Sequence, residues 1–480
     1  MASSAESRTL DVTKFLEGRG MTRFHIQLLL ISSVVTFFDG LDFSLIAFTL
    51  PYLRDAMHLT DEMTGFVSSA AFLGQMIGSL VGSYIADMIG RRPVILWCTV
   101  LSAVLTFVTG FADTPEMLIV LRFLGGLAIG GLLAPAWSLN IESMPAGKKA
   151  TAVTIIMLGF SFGAAAAGQV TNFLAPQYGW QMVFFVCGAA TLVLAVFLQF
   201  TLPESLRWLV AKERPRAKIA PLVSRFDPAV DPGRYESFYL SDEARFQSGA
   251  TSEQPWIERT FRNFTETMQR LFKGALAFIT PVIWFTYFFS SFAIYLKASF
   301  GVLFMEALGI ERTMAANIAS IGGLIGAIGG VLLLMFTEKK GPIWIALAPL
   351  FGIPLALLIG SGLIDGGSLF VPIILIGSIT IGAGHAAVIS MTSIYYPSVV
   401  RSTGGGWASF MAKFAAVAAP IVGGYWFLAD RRAVLDGYVF TALCLAAVVI
   451  GIVALAYFAK RLTAEQAPEE LVSAEAQPAE

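Results

Sequence analysis

Two carboxylic acids, Asp39 and Asp42, sit inside the run Phe37-Phe38-Asp39-Gly40-Leu41-Asp42-Phe43, which is otherwise apolar. Spaced three apart, they share one face of a helix, and Gly40 between them permits close helix approach or local unwinding. A charge at the middle of an apolar span costs ~2.5 to 3.5 kcal/mol, so such a group faces a cavity, pairs with an opposite charge or gives its charge up. Two adjacent carboxylates at low dielectric resist ionising together. One of them can therefore carry a proton, bound on one side of an apolar barrier and released on the other. The plainer alternative is an acid that satisfies a buried hydroxyl or backbone group.

Three further ionisable side chains fall deep in apolar runs: Arg122, His385 and Lys413. Arg122 opens the string RFLGGLAIGG, where Gly125, Gly126, Gly130 and Gly131 suit tight helix packing; its permanent charge can compete with a proton for a carboxylate or form a static salt bridge. Lys413 lies too deep for its ammonium to reach water by stretching and suits an anionic substrate. His385 can do the same, titrate, or be a hydrogen-bonded core histidine. Of the aromatic residues, Phe43, Trp137, Tyr287 and Trp407 are candidates to line a site. No metal-ligand spacing, phosphate loop or nucleophile–base pattern appears, so an enzyme, a cofactor and a metal are not expected, and protons would be the coupling ion.

The elements that must position these groups follow from composition. Of 480 residues, 56% are hydrophobic and 14% charged, and the mean hydropathy of +0.72 belongs to a membrane protein rather than a soluble one. Apolar runs near the ~20 residues needed to cross a bilayer recur throughout. The spans are His25 to Leu50, Thr64 to Ala86, Pro93 to Ala112, Glu116 to Leu139, Thr151 to Ala175 and Gln181 to Leu202. The second set is Ala275 to Leu296, Ala315 to Phe336, Ile343 to Leu363, Leu369 to Met391, Gly404 to Leu428 and Leu435 to Ala459. The expected domains are an N-terminal segment (1–24), a six-helix bundle (25–202), a charged, Pro-rich linker (203–274), a second bundle (275–460) and a disordered tail (461–480). Cys98, Cys187 and Cys444 read as free thiols that fill space, and the net charge of −1 points to no nucleic-acid partner.

Lys and Arg in the short connections set orientation. Arg8, Lys14, Arg19, Arg23, Arg91, Arg92, Lys148, Lys149, Lys339, Lys340, Arg401, Lys460 and Arg461 fall on one side with the linker, which places both termini in the cytoplasm. The opposite connections hold Arg54, Lys297, Arg312, Arg431 and Arg432. The sequon Asn263-Phe264-Thr265 lies on the cytoplasmic side, where it reads as chance.

Two short matches share an offset of about 250 residues. Asp87-Met88-Ile89-Gly90-Arg91 pairs with Glu338-Lys339-Lys340-Gly341-Pro342, and Pro145 to Thr151 pairs with Pro397 to Thr403, both reading Pro, three residues, a base, one residue, Thr. Two bundles related by an internal repeat follow. Asp39 and Asp42 have no acidic counterpart in the second half, where Ser290 and Ala293 stand. At the cytoplasmic helix turn, Asp87, Gly90, Arg91 and Arg92 can form a latch that holds one conformation shut, completed by Glu142, Glu204 and Arg207, with Arg401 as the base of the second copy. Simple charge anchoring of the loop is the alternative.

These residues carry a family resemblance. SYIADMIGRRPVIL resembles the loop signature of the major facilitator superfamily, with Ser83 at its glycine position and Met88 in place of its first Arg. RFLGGLAIGG and LPESLRWL look like that superfamily's fourth- and sixth-helix motifs. DGLD in the first helix, with YYPSVVRSTGGGWASFMAKF, is most similar to the aromatic acid:proton symporter family. Lys413 and Ala415 depart from its Arg-Phe-Gly pattern, and Phe300 and Val302 from its Trp-x-Pro. The resemblance implies an all-α membrane protein of twelve helices in two six-helix bundles in a bacterial inner membrane. It also implies import of a small organic anion, an aromatic or related monocarboxylate, with protons by alternating access; a monomer is expected. In that setting Asp39 and Asp42 would handle the proton, modulated by Arg122, and Lys413, with His385, would meet the carboxylate. A carrier of a sugar, dicarboxylate or nicotinate-like compound, an efflux carrier and a sensor on a transporter fold are the alternatives.

Overall fold

The computed structural model describes residues 9–18, 20–242, 269–274, 276–340, 342–364, 369–396 and 398–475. The Asn263 sequon lies outside the described residues. So do the side chains of 338–342, 397–399, 402 and 459–480, and with them much of the second copy of each repeat motif.

Among the described residues, twelve helices are long and apolar enough to cross a membrane. After a strand β1 (Thr9–Asp11) and a short helix α1 (Val12–Glu17), the first six are α2 (Arg23–Met57), α3 (Asp61–Ile89), α4 (Arg91–Thr109), α5 (Pro115–Ser143), α6 (Lys149–Tyr178) and α7 (Trp180–Thr201). The linker contributes α8 (Leu206–Ala211), α9 (Arg216–Phe226) and β2 (Ser237–Tyr239). The second set is α10 (Leu276–Ala307), α11 (Arg312–Lys340), α12 (Leu347–Gly360, entered through a 3-10 turn at Pro342–Ala346), α13 (Phe370–Ile389), α14 (Met391–Tyr395, a short turn), α15 (Ser398–Trp426) and α16 (Arg431–Glu475).

Local chemistry sets the ends. Thr114 accepts the N–H of Met117 and Pro115 takes the first position of α5, the pairing that suits a helix start. Gly90, at φ 117°, turns the chain sharply between α3 and α4. Several helices outrun their expected spans. The chief case is α10, which continues to Ala307 rather than ending near Leu296, so Lys297 stands inside a helix and not in a connection. Ala298 to Met305 is apolar apart from Ser299, with nothing to break the helix. The final helix likewise continues through Glu475, its Ala, Glu and Leu being good helix formers.

The chain divides into two compact units, Met1–Leu59 with Ala70–Glu253, and Thr60–Ser69 with Gln254–Glu480. In the first, α2 packs along α6, and α4 packs on α5 and α7. Small residues bring these helices together: a Cβ on Gly40 would lie 2.0 Å from the Phe160 carbonyl oxygen, and one on Gly163 would lie 1.7 Å from that of Phe37. Gly74, Gly78 and Gly82 of α3 meet the backbone of α5 in the same way, and Gly126 and Gly130 of α5 return the contact on Ala71 and Gln75. Hydrophobicity does not drive helices together in lipid, so such backbone approach supplies the packing. In the second unit α10 packs on α15 and α16, α11 on α13, and α12 on α16.

The linker is more than a connector. β1 and β2 pair in parallel, Thr9 opposite Ser237 and Asp11 opposite Tyr239, and α1, α8 and α9 close over a buried cluster of Val12, Phe15, Leu16, Leu206, Trp208, Ile219, Val223 and Phe226. Each such side chain contributes ~1.5 to 3 kcal/mol when buried, enough to order a small cap. Thr13 donates to Asp242 at 2.6 Å, Arg207 pairs with Asp242, and Phe226 packs edge-on to Phe24 and His25 at the start of α2. Partial burial pushes the Asp242 carboxyl up, but the hydrogen bonds from Thr13 and Arg207, the Arg207 charge and its own backbone N–H outweigh that and hold it below the ordinary range.

Candidate functional site

Within the first unit, Asp39, Asp42 and Arg122 are all more than nine-tenths buried. Their surroundings differ sharply. Asp42 accepts hydrogen bonds from Ser102 (3.0 Å) and Thr106 (2.8 Å) of α4, and Arg122 Nη2 lies 3.6 Å from its Oδ1. The guanidinium sits 5.3 Å above the Phe184 ring. Neither carboxyl oxygen of Asp39 has a hydrogen-bond partner among the described residues. Gly125 lies beside the guanidinium, where a Cβ would make only an ordinary contact with it at 3.9 Å, whereas Gly126, Gly130 and Gly131 serve close packing.

Two narrow spaces flank these groups, each about the size of one water molecule. One is lined by Asp42, Arg122, Phe43, Phe72 and Gln75. The other is lined by Asp39 with the hydroxyl-bearing Thr99, Ser102 and Thr191.

In the second unit, His385 of α13 and Ser290 of α10 meet, with Nδ1 and Oγ 3.2 Å apart, and Tyr295 lies edge-on to the imidazole. Lys413 stands half-buried on α15. Tyr287 donates to the Ile389 carbonyl at 2.6 Å and lies in the core cluster with Ile283 and Val388, so its hydroxyl is engaged in joining α10 to α13. Trp407 stacks on Trp284 at 5.6 Å and contacts Phe410, within the packing of α10 on α15. Trp137 of the first unit keeps a buried indole N–H without a partner among the described residues.

The loop residues of the first unit come together as a clasp. Arg91 reaches Asp87 and Glu142, both at 2.9 Å, while Glu204 Oε1 accepts the backbone N–H groups of Arg91 (2.9 Å), Arg92 (3.2 Å) and Ser205 (2.9 Å). Arg92 caps the end of α7 through the carbonyls of Leu202 and Gln199. The Ser205 hydroxyl donates to Glu142 and the Trp208 indole to the Asp87 carbonyl. Gly90 is required here twice over, by its positive φ and because a Cβ would strike the Glu204 carboxylate. Burial pushes the Glu204 carboxyl up, and the three backbone N–H groups and the Arg91 charge moderate the shift. Arg207 turns away to Asp242 in the cap, and Arg401, in the other unit, donates to the Tyr396 carbonyl at 3.1 Å.

Sequence reasoning missed Ser102, Thr106, Ser290 and Lys297. Hydroxyls are common in apolar helices and Lys297 sat at an expected boundary, so none carried a signal alone. Among the described residues no group of three or more His, Cys, Asp or Glu side chains could hold a metal.

Comparison with known proteins then identifies the scaffold. The model of the Major Facilitator Superfamily matches residues 32–420. The chain is 28% identical to the 4-hydroxybenzoate transporter PcaK of Pseudomonas putida, covering 87% of this chain and 89% of that protein. It is also 28% identical to the benzoate transport protein of Acinetobacter baylyi, over 93% and 92%. Among solved structures, the xylose transporter XylE of E. coli superposes with a TM-score of 0.66 at 15% identity, over 90% and 95%, a likeness of fold. The chain is therefore a multi-pass membrane transporter, not an enzyme, and belongs to the Major Facilitator Superfamily.

Proposed function

We propose that the protein is a proton-coupled symporter that imports a small aromatic or related monocarboxylate by alternating access of its two six-helix halves, with both termini cytoplasmic. The observation that carries this reading is the unequal treatment of two acids three residues apart. Asp42 has a cation and two hydroxyl donors. Asp39 has none, and a buried carboxylate without donors is strongly disfavoured against the neutral acid, which makes Asp39 the proton carrier and Asp42 its electrostatic neighbour. Arg122, held by Asp42, is the charge able to exchange partners when Asp39 loses its proton.

The substrate class draws support from the relatives, which are transporters of 4-hydroxybenzoate, benzoate and gallate. On this side Lys413 and His385 offer a positive charge and a ring nitrogen to a carboxylate. The clasp of Asp87, Arg91, Arg92, Glu142 and Glu204 would close the cytoplasmic end of the first half, with Gly90 shaping its turn. Each tenfold proton gradient supplies about 1.4 kcal/mol per proton. One proton carried with one monovalent anion moves no net charge, so only this chemical contribution would drive the substrate.

The test is uptake of labelled 4-hydroxybenzoate, benzoate and gallate into proteoliposomes under an inward proton gradient. Accumulation above the outside concentration, abolished by a protonophore, is expected for at least one of them. Uptake that ignores the gradient would remove proton coupling.

A further inference from the structure

Lys297 is a cation inside the second unit that the mechanism above does not use. It makes no ion pair or hydrogen bond among the described residues, and the helices of that unit offer it little counter-charge. The membrane-spanning segments of α10 to α16 hold two acids, Glu306 and Asp436, each within two turns of a helix end, and Glu306 is already taken by Arg312. An ammonium in this setting calls for an anion.

Its position says which anion it would meet. Ser290 and Lys297 are seven residues apart on α10, so they share a face, about 10 Å apart along the axis. That face is the buried one: Thr286, Ser290 and Ala293 are at most 4% exposed, whereas Phe278 and Phe285, on another side of the helix, are 60% and 43% exposed. Helical side chains lean toward the helix N-terminus, which carries the Lys297 ammonium back toward the level of Ser290 and His385. Lys297 is half-buried, and the helix surface one turn on is open beside its stem: a Cβ on Gly301 would have Lys297 Cγ at 3.9 Å as its nearest contact. His385 engages Ser290 through Nδ1, and its Nε2 makes no hydrogen bond among the described residues.

We infer that Lys297, together with His385 and Ser290, binds the carboxylate of the transported substrate and sets the preference for an anionic over a neutral aromatic compound. The inference rests on the carboxylate reading above and adds the residue that enforces it. The ammonium would supply charge and up to three donors, and the imidazole Nε2–H a fourth directed at the same oxygens.

The test measures binding of 4-hydroxybenzoate and of the neutral 4-hydroxybenzamide to the purified full-length protein and to Lys297→Met, Lys297→Gln and Lys297→Arg, each checked for folding by size-exclusion chromatography. The wild type should favour the carboxylate at least about tenfold. The Met and Gln variants should lose that preference, through weaker carboxylate binding with amide binding little changed, and the Arg variant should keep it. A folded Met or Gln variant that keeps the preference, or a folded Arg variant that loses it to the same extent, overturns the assignment of Lys297 and leaves the carboxylate reading standing. A wild type that prefers the amide, or binds neither compound, overturns that reading and the inference with it.

Discussion

In the first unit a buried charge is met where it stands: Asp42 has Arg122 at 3.6 Å and two hydroxyl donors within 3.0 Å. In the second unit Lys297 has no counter-charge among the described residues. Both solutions occur in helices of similar length and hydropathy, so span composition does not account for the contrast. A charge with an internal partner is part of the resting architecture, whereas one without it is held for something that arrives. On the proposed reading, the first half would keep the proton and its electrostatics in a closed set, and the second half would remain short of an anion until substrate supplies one.

The contrast has consequences for stability that can be broken experimentally. Arg122→Met strands the Asp42 carboxylate in an apolar interior and should cost ~3 to 5 kcal/mol, as breaking a buried pair does, seen as a large fall in the thermal midpoint of the substrate-free protein. Lys297→Met removes an unpaired charge and should leave that midpoint unchanged or raised. An equal loss in both would erase the distinction between the halves. The same logic separates the two acids. Asp42→Asn strands Arg122 and should destabilise by ~3 kcal/mol or more, whereas Asp39→Asn loses no hydrogen bond among the described residues and should stay within about 1 kcal/mol of wild type. Comparable losses would show that the acids are not divided as described.

A smaller effect concerns the cap. The Asp242 carboxyl is held below its ordinary value, so its contribution to cap docking is fully present above the unfolded value of about 3.9 and is lost as pH falls through the folded value. Protection of the cap from limited proteolysis should therefore weaken on acidification below about pH 4, and Asp242→Asn should be weakened already at neutral pH. A profile identical in the variant would detach the effect from Asp242.

Much of this architecture is legible in the sequence, because apolar run length reports membrane spans directly, and RFLGGLAIGG announces a close-packed helix. The inequality of Asp39 and Asp42 is not legible. As a pair they are nearly symmetric along the chain, and what divides them, Ser102 and Thr106, comes from a helix sixty residues away. The cap is hidden for a similar reason, since Thr9 to Asp11 is a three-residue strand whose partner begins at Ser237, and neither piece has enough apolar surface to declare itself alone. Lys297 was misplaced because one basic residue after a long apolar run looks like a boundary, although the apolar residues that follow continue the helix.

Proton coupling through Asp39 is most directly tested by comparing two assays on Asp39→Asn in proteoliposomes, with a substrate that the wild type accumulates. Carrier exchange of labelled for unlabelled substrate should persist within a few-fold of wild type, while accumulation driven by an inward proton gradient should vanish. Gradient-driven accumulation that survives in the variant would contradict Asp39 as the proton carrier.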